Sequence, residues 1–536
     1  MPFYNGLRMK KTAAVLFIIL IFFSGCKKES ISGKSFRFPL DAEPRQLDPQ
    51  VSTDSASVTV IAALFEGLAR PDQAGNPLPA AATWTLSDDR LTYTFTLVDS
   101  KWSDGSRVTA HDFVFGMQRA VLPSTRSSLA EQLFDIKNAS KVNDGSLDVS
   151  KLGVKALNDN QLTITLTKPN AEFPIKTAST PFMPCKQSFF ESTGGRYGLQ
   201  AEYTLTNGPF ILKTWEHNKS ILLNKHEEYH DKKNILPAAV RYMIGDVENP
   251  VDLLSKGLLD AAPIPYEMLE QAKQAGHSLV KLQDTVSMLW LNNDNAALGR
   301  TKIRQALRDS LEWDIIYKRL DPNIDTPATG FISPDAMTPS GELYRTKANA
   351  KKPTPRGKKA AAELAAGLKQ VGLEKMPVLT LLCSDDDYHV NVSRYIVQSW
   401  QKNLSLYFKI ETVSESELAT RVKVGNYQIA LYQSTATGAG ALHALKNYRT
   451  GSVGNYAHFS DKSYDTKLSK ASGTVTRSQL EELEAILWQT CPSIPLSFEC
   501  RFAGIPKTDS GIIVRPFDGG IFGAPYDFRN AGKTEK

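Results

Sequence analysis

Between Leu91 and Val121 the chain spells out one structural unit residue by residue. Leu91 to Leu97 alternates strictly, with Leu91, Tyr93, Phe95 and Leu97 on one face and threonines on the other. Successive side chains of an extended backbone point to opposite faces, so this period of two predicts a half-buried strand. Asp104-Gly105 supplies a tight turn, because glycine tolerates positive φ and the Asp carboxylate can bond its own backbone. Thr109 stands as a helix N-cap with Asp112 three residues later, an approximate capping box. Phe113, Met117, Ala120 and Val121 follow at helical spacing. Strand, turn and capped helix together fit hundreds of domains, so the pattern alone constrains architecture and leaves function open.

The wording is more specific than the pattern. Trp102-Ser-Asp-Gly, then Val108-Thr-Ala-His-Asp-Phe-Val-Phe, resembles the W-S-D-G-x-x-[VL]-T-A-x-D-F-V-[FY] signature of peptide- and nickel-type extracellular solute-binding proteins. These are the capture subunits of ABC importers, and the oligopeptide-binding lipoproteins belong to them. Further stretches resemble the same family: Leu47-Asp48-Pro49 with Phe65-Glu66-Gly67-Leu68, Asn207-Gly208-Pro209-Phe210, Val251 to Asp260, Met288 to Asn293, Lys302 to Leu311, and Asn455 to Ser460.

The resemblance implies an α/β chain with a periplasmic-binding-protein-like type II fold, two lobes built from three domains around a ligand cleft. On that plan residues 1–25 are a lipoprotein signal peptide and 26–35 a tether. Domain I is assembled from 36–70, 204–288 and 504–536, domain II spans 71–203, and domain III spans 289–503. The implied function is capture of oligopeptides between closing lobes for delivery to an inner-membrane ABC permease. The protein is expected to act as a monomer without enzymatic activity, catalytic residues, cofactor or metal. Cell-wall peptide, nickel chelate and haem stay open as alternative cargoes.

Ligand-contacting residues follow from the same resemblance. Asp54 and Ser55 fall in a segment that lines the cleft in relatives, although Asp54 also reads as a helix N-cap. Trp290 and Asn292 lie on the strand entering domain III, where Trp290 is a candidate for stacking on ligand or for the core. Many peptide-binding relatives carry W-x-A-D-Y-x-x-P, whose Asp pairs with the peptide's amino group. Here Gln433, Ser434 and Thr435 lead to Thr437, which stands roughly at the position of that acid. A buried ammonium without a carboxylate is strongly disfavoured. Either another acid holds it, Asp54 being the candidate at hand, or the ligand lacks an amino end.

The N-terminus carries an address. A basic start precedes an apolar run from Ala13 to Phe23 and then Ser24-Gly25-Cys26. The run is short for a membrane span but suits an export signal, with Met9 an alternative start. Phe23-Ser-Gly-Cys resembles a lipobox, with Phe23 in place of the usual Leu, and makes Cys26 the expected lipid attachment site. That places the chain on the periplasmic side of the bacterial inner membrane or at the cell surface. The net charge of +6 includes Arg8, Lys10 and Lys11 of the leader, so the remainder has no nucleic-acid footprint.

Four cysteines remain: Cys185, Cys383, Cys491 and Cys500. Cys491 and Cys500 are close enough to bridge if a bend or paired strands intervene. His226-Glu-Glu-Tyr-His230 satisfies the H-E-x-x-H zinc-protease pattern and defines an anchored metallopeptidase as the rival reading. That chemistry needs both histidines on one helical face. The pair instead follows a β-like run and precedes Pro237, which opposes a long helix and favours a surface turn.

Overall fold

The computed structural model describes residues 34–321, 324–350, 357–436, 438, 440–471, 475–517 and 525–533. Cys26, the signal segment and Thr437 lie outside the described residues.

The first strand is β1 (Ser35–Leu40), where alternation buries Phe36, Phe38 and Leu40. It leads through helix Ser55–Leu64 to the hairpin β2 (Ala69–Pro71) and β3 (Pro77–Pro79). A small antiparallel sheet follows, made of β4 (Ala82–Leu86), β5 (Thr92–Leu97), β6 (Val154–Asn158) and β7 (Gln161–Thr165) in the order β4-β5-β7-β6. Tyr93 and Phe95 of β5 are buried while its threonines face outward, as the alternation predicts. The turn and helix also form as expected. Gly105 has φ 81°, and the Asp112 carboxylate accepts the Thr109 N–H at 2.8 Å and the Trp102 indole N–H at 3.2 Å. Helix Ala110–Val121 buries Phe113, Met117, Ala120 and Val121.

The chain then returns through β8 (Phe210–Glu216), β9 (Ser220–Lys225) and β10 (Ala239–Ile244), which join the first strand in the order β1-β10-β9-β8. The two four-stranded sheets share one hydrophobic core, running from Phe36 and Phe38 through Phe95, Trp102 and Phe113. Gly67 explains part of that closeness. A Cβ there would stand 2.2 Å from the Thr177 carbonyl oxygen, so no larger residue fits where the small sheet's connection crosses the first lobe.

The second lobe is built on one large sheet. It contains β11 (Ala262–Pro263), β12 (Ser278–Leu291), β13 (Asp325–Pro327), β14 (Leu379–Ser384), β15 (Phe408–Val413), β16 (Ile429–Thr435) and β17 (Ser493–Ile505). The order is β11-β17-β12-β16-β14-β15, with β13 on the free side of β17. Strand β14 runs parallel to both β15 and β16, with helices Asp387–Leu404 and Glu415–Lys423 making the crossovers, as a βαβ pattern requires. Strand β12 is buried on both faces: Val286, Met288 and Trp290 enter one core, and Leu289 and Leu291 the other.

Strands β12 and β17 are long and antiparallel, and they carry the connection between lobes. At one end they pair near β11 and a small core around Val251 and Leu254; at the other they enter the second-lobe cores. Their register breaks between Leu282 and Thr285 and again between Ser287 and Met288. Such bulges bend a strand and strengthen its twist, which suits a hinge.

All four described cysteines are free. Cys491 caps the end of helix Arg477–Thr490, while Cys500 lies well along extended β17. At about 3.3 Å per strand residue the two are on the order of 20 Å apart, far beyond disulfide reach. The bend that a bridge requires does not occur there. No helix among the described residues is long and apolar enough to cross a membrane.

Candidate functional site

Between the lobes, against the hinge, lies a cavity of about 930 Å³. One wall is the segment Ser52 to Thr59 at the start of helix Ser55–Leu64, joined by Gln132 and Thr180 from the small domain. The opposite wall is the hinge, through Leu282, Ile324 and Cys500 to Ala503. The volume is of the size that small-molecule and short-peptide ligands occupy.

The first wall is held rigidly from behind. Arg119, from helix Ala110–Val121, reaches Asp48 at 2.7 Å and Gln50 Oε1 at 2.7 Å, and its guanidinium lies 3.8 Å from the centre of the Phe190 ring. Asp48 and Gln50 directly precede the cavity-lining segment, so this buried network fixes where that segment leaves the core.

Away from the cavity lining the two lobes also touch. The Asn76 side-chain amide donates to the Pro339 carbonyl at 2.9 Å, and Lys446 pairs with Glu172 across the gap. His443 stands beside that ion pair. Its burial and the nearby Lys446 ammonium hold its imidazole down to about 4, against Glu172, which pulls the other way. The unfolded histidine titrates near 6.5. Between pH 4 and 6.5 the unfolded chain therefore binds the extra proton, and native stability falls as pH falls through that window. The expected loss is up to about 1.4 kcal/mol per pH unit. A series of thermal melts should show this acid slope in the parent chain and a flatter one in His443→Gln.

An acidic group lies on the hinge strands and β13, outside the cavity lining. Asp284 is paired with Arg501, which approaches through Nε at 3.2 Å and again through a terminal nitrogen, and also accepts the Phe517 N–H. Asp325 accepts the Tyr388 hydroxyl at 2.5 Å through one oxygen. Burial raises the Asp325 carboxyl, opposed by the bonds from Tyr388 and Ser497. Burial, then Asp325 and Asp284, push the Glu499 carboxyl up to about 8, with Arg501 opposing.

The sequence of this chain matches the model of the bacterial extracellular solute-binding proteins, family 5 (Middle), over residues 76–456. The chain belongs to that family. This family 5 solute-binding protein is 28% identical over 555 residues to the oligopeptide-binding protein OppA of Bacillus subtilis, covering 98% of this chain and 99% of that one. It is 29% identical over 544 residues to a dipeptide-binding protein of Lactococcus lactis, with 96% of each chain covered. Among solved structures it is similar to the substrate-binding domain of an oligopeptide ABC transporter from Bacillus anthracis, with a TM-score of 0.68 and 26% identity, over 94% of this chain and 99% of that one. The type II two-lobed fold expected from the motifs is the fold observed.

Within the family 5 framework the expected ligand residues fall in different places. Ser55 is exposed and lines the cavity. Asp54 is the helix N-cap, accepting the Ser57 N–H at 2.9 Å, between cavity-lining Thr53 and Ser55. Trp290 is corrected to a core residue. It is fully buried, stacks on Tyr448, meets Tyr456 edge-on, and donates its indole N–H to the Tyr432 carbonyl. Strand β12 is covered on both faces at that point, which leaves no route to ligand. Asn292 is likewise structural, its amide bracing the carbonyls of Gly425 and Tyr427 at 3.1 and 2.9 Å. Gln433, Ser434 and Thr435 end strand β16, partly buried except for Thr435, which is exposed, and none of them lines the cavity.

The H-E-x-x-H segment is a turn, as its setting predicts. His226 Nδ1 lies 3.0 Å from the Gly208 carbonyl and His230 Nε2 2.6 Å from Glu66, which also accepts the Tyr229 hydroxyl. The two rings serve different partners, and no group of three or more potential ligands among the described residues is placed to hold a metal. The acid pair Asp325 and Glu499 belongs to no motif in the sequence. The sequence signal is Glu499 with Arg501, two charges in the otherwise largely apolar run from Ile494 to Ile505.

Proposed function

We propose that this chain is the capture subunit of an ABC importer, closing two lobes on short peptides and presenting them to a membrane permease. The observation that carries the reading is the interlobe cavity of about 930 Å³ at a two-strand hinge, in a family whose relatives include oligopeptide- and dipeptide-binding proteins. Domain I (36–70, 204–288, 504–536) and domain II (71–203) form the first lobe and domain III (289–503) the second. A lipid on Cys26 holds the monomer at the membrane surface, where two anchoring signals or one bulky diacyl group suffice. Ser55, Gln433, Ser434, Thr435 and Thr437 contact the ligand, and Asp54 sets the helix that presents Ser55.

In this reading the lobes sample open and closed arrangements, and ligand binding favours the closed one by its differential contacts. Peptide main chain bonds to strand edges and loops, while side chains enter hydrated space where water satisfies varied groups. A mixed tripeptide library at about 100 times the dissociation constant should stabilise the folded chain by ~2.7 kcal/mol, read as a raised melting temperature. An unmoved melting temperature at millimolar library would contradict the reading.

A further inference from the structure

Near the end of the chain, Tyr526-Asp-Phe-Arg alternates aromatic and charged residues. Tyr526 and Phe528 are buried and stack on Phe38 of β1, with ring centres 5.0 and 5.2 Å away. The Arg529 carbonyl accepts the Leu236 N–H at 2.8 Å. These contacts hold Asp527 and Arg529 at fixed places inside the first lobe. There they help to line a second chamber of about 100 Å³. Thr59, Tyr242, Arg515 and Tyr526 line both this chamber and the larger interlobe cavity, so the two spaces share a partition.

Five charged side chains enter a chamber wall that is otherwise largely apolar: Glu66, Arg70, Arg515, Asp527 and Arg529. Both carboxylates are already engaged. Glu66 accepts the Tyr229 hydroxyl at 2.5 Å through one oxygen and lies 2.6 Å from His230 Nε2 through the other. Asp527 holds Arg515 at 2.5 Å and accepts the backbone N–H of Arg529 at 3.1 Å through its second oxygen. Among the described residues, nothing accepts a hydrogen bond from the Arg70 or Arg529 guanidinium, and neither forms an ion pair. Glu66 and Asp527 act on the Arg529 charge from a distance only.

A guanidinium carries five N–H donors and keeps its charge at every physiological pH. Leaving two of them in a largely apolar wall without acceptors is costly. Three cations against two engaged carboxylates leave the chamber with an excess of positive charge. The missing partner is therefore an anion that offers several acceptor oxygens to planar donor forks. The space is well above what a single water needs, yet too small for a peptide.

We propose that this chamber binds a free, small tetrahedral oxyanion of the phosphate or sulfate class, held by Arg529 and Arg70 with Arg515 at the partition. The site is separate from the peptide cleft and stands whether or not the peptide reading does.

The test uses the full chain with inorganic phosphate as the probe and chloride at matched ionic strength as the reference. Phosphate should raise the melting temperature saturably, and chloride should not. Titration calorimetry should show phosphate binding weakened ~10-fold or more in Arg529→Gln and in Arg70→Gln, the loss expected when a charge-assisted hydrogen bond is removed. Arg529→Lys, which keeps the charge but not the fork, should fall between Arg529→Gln and the parent. Inositol hexakisphosphate, too large for the chamber, should not displace phosphate. Should Arg529→Gln fail to fold, Arg70→Gln on the β2–β3 hairpin decides the matter. Phosphate binding of parent strength in Arg70→Gln, or hexakisphosphate binding more tightly than phosphate, would place the anion on surface lysines and overturn the proposal. The absence of any saturable shift in the parent would leave the chamber to water and overturn it equally.

Discussion

Replacing Arg119 by Met is expected to destabilise the chain by about 3–5 kcal/mol, because it strands a buried carboxylate. Asp48 and Arg119 expose only 7% and 6% of their side chains, and the guanidinium also holds Gln50 and approaches Cys185 at 3.4 Å. Removing the cation leaves Asp48 charged and dry, a larger loss than the modest net worth of the intact pair. The second change Asp48→Asn in the same chain should recover part of the stability, since a neutral amide costs less to bury. Urea unfolding of the single and double variants measures this. A single variant within ~0.5 kcal/mol of the parent would show that the network does not hold the cavity wall.

Glu484→Ala should cost a similar ~3–5 kcal/mol in the second lobe. Glu484 is 4% exposed and gathers four partners: Arg345 at 2.5 Å, the Tyr344 hydroxyl at 2.9 Å, and the N–H groups of Phe331 and Ile332 at 2.8 and 3.3 Å. Truncation leaves a buried guanidinium without its counter-charge and orphans two backbone donors. Glu484→Gln keeps the volume and one acceptor oxygen but not the charge, so it should recover only part of the loss. Fluorescence-detected unfolding serves as the readout, and a variant that melts with the parent would remove Glu484 as the lobe's organising acid.

Much of this is legible in the sequence. The β5 alternation, the Asp104-Gly105 turn and the Thr109–Asp112 box are local physics, and each forms where the residues place it. The helix over Leu480 to Trp488 is equally local, and the spacing of Leu480, Glu484 and Leu487 puts Glu484 on its buried face. Its partners were not legible, because Arg345 lies 139 residues away in sequence. The same limit explains the misplaced site residues. Trp290 looked available because an aromatic in an apolar strand reads alike whether its strand is covered on one face or two, and only the assembled sheet covers both. Glu499 gave the opposite signal, a charge in an apolar strand, but the row joining it to Asp325, Thr285 and Thr435 comes from four strands brought together by tertiary pairing.

The fold also accounts for why H-E-x-x-H does not make a zinc site here. The spacing of two histidines acquires its chemistry from a helix, and this segment is a turn whose imidazoles serve a backbone carbonyl and Glu66. The pattern instead ties Tyr229 and His230 to the F-E-G-L acid, a contact between distant parts of the first lobe.

The most direct test of peptide capture is native mass spectrometry of the chain from Lys27 onward, purified gently with nothing added. The account predicts a heterogeneous ladder of bound masses that disappears on denaturation and fragments as short peptides with free amino ends. A single bound mass that does not fragment as peptide, or a metal that a chelator strips, would contradict it.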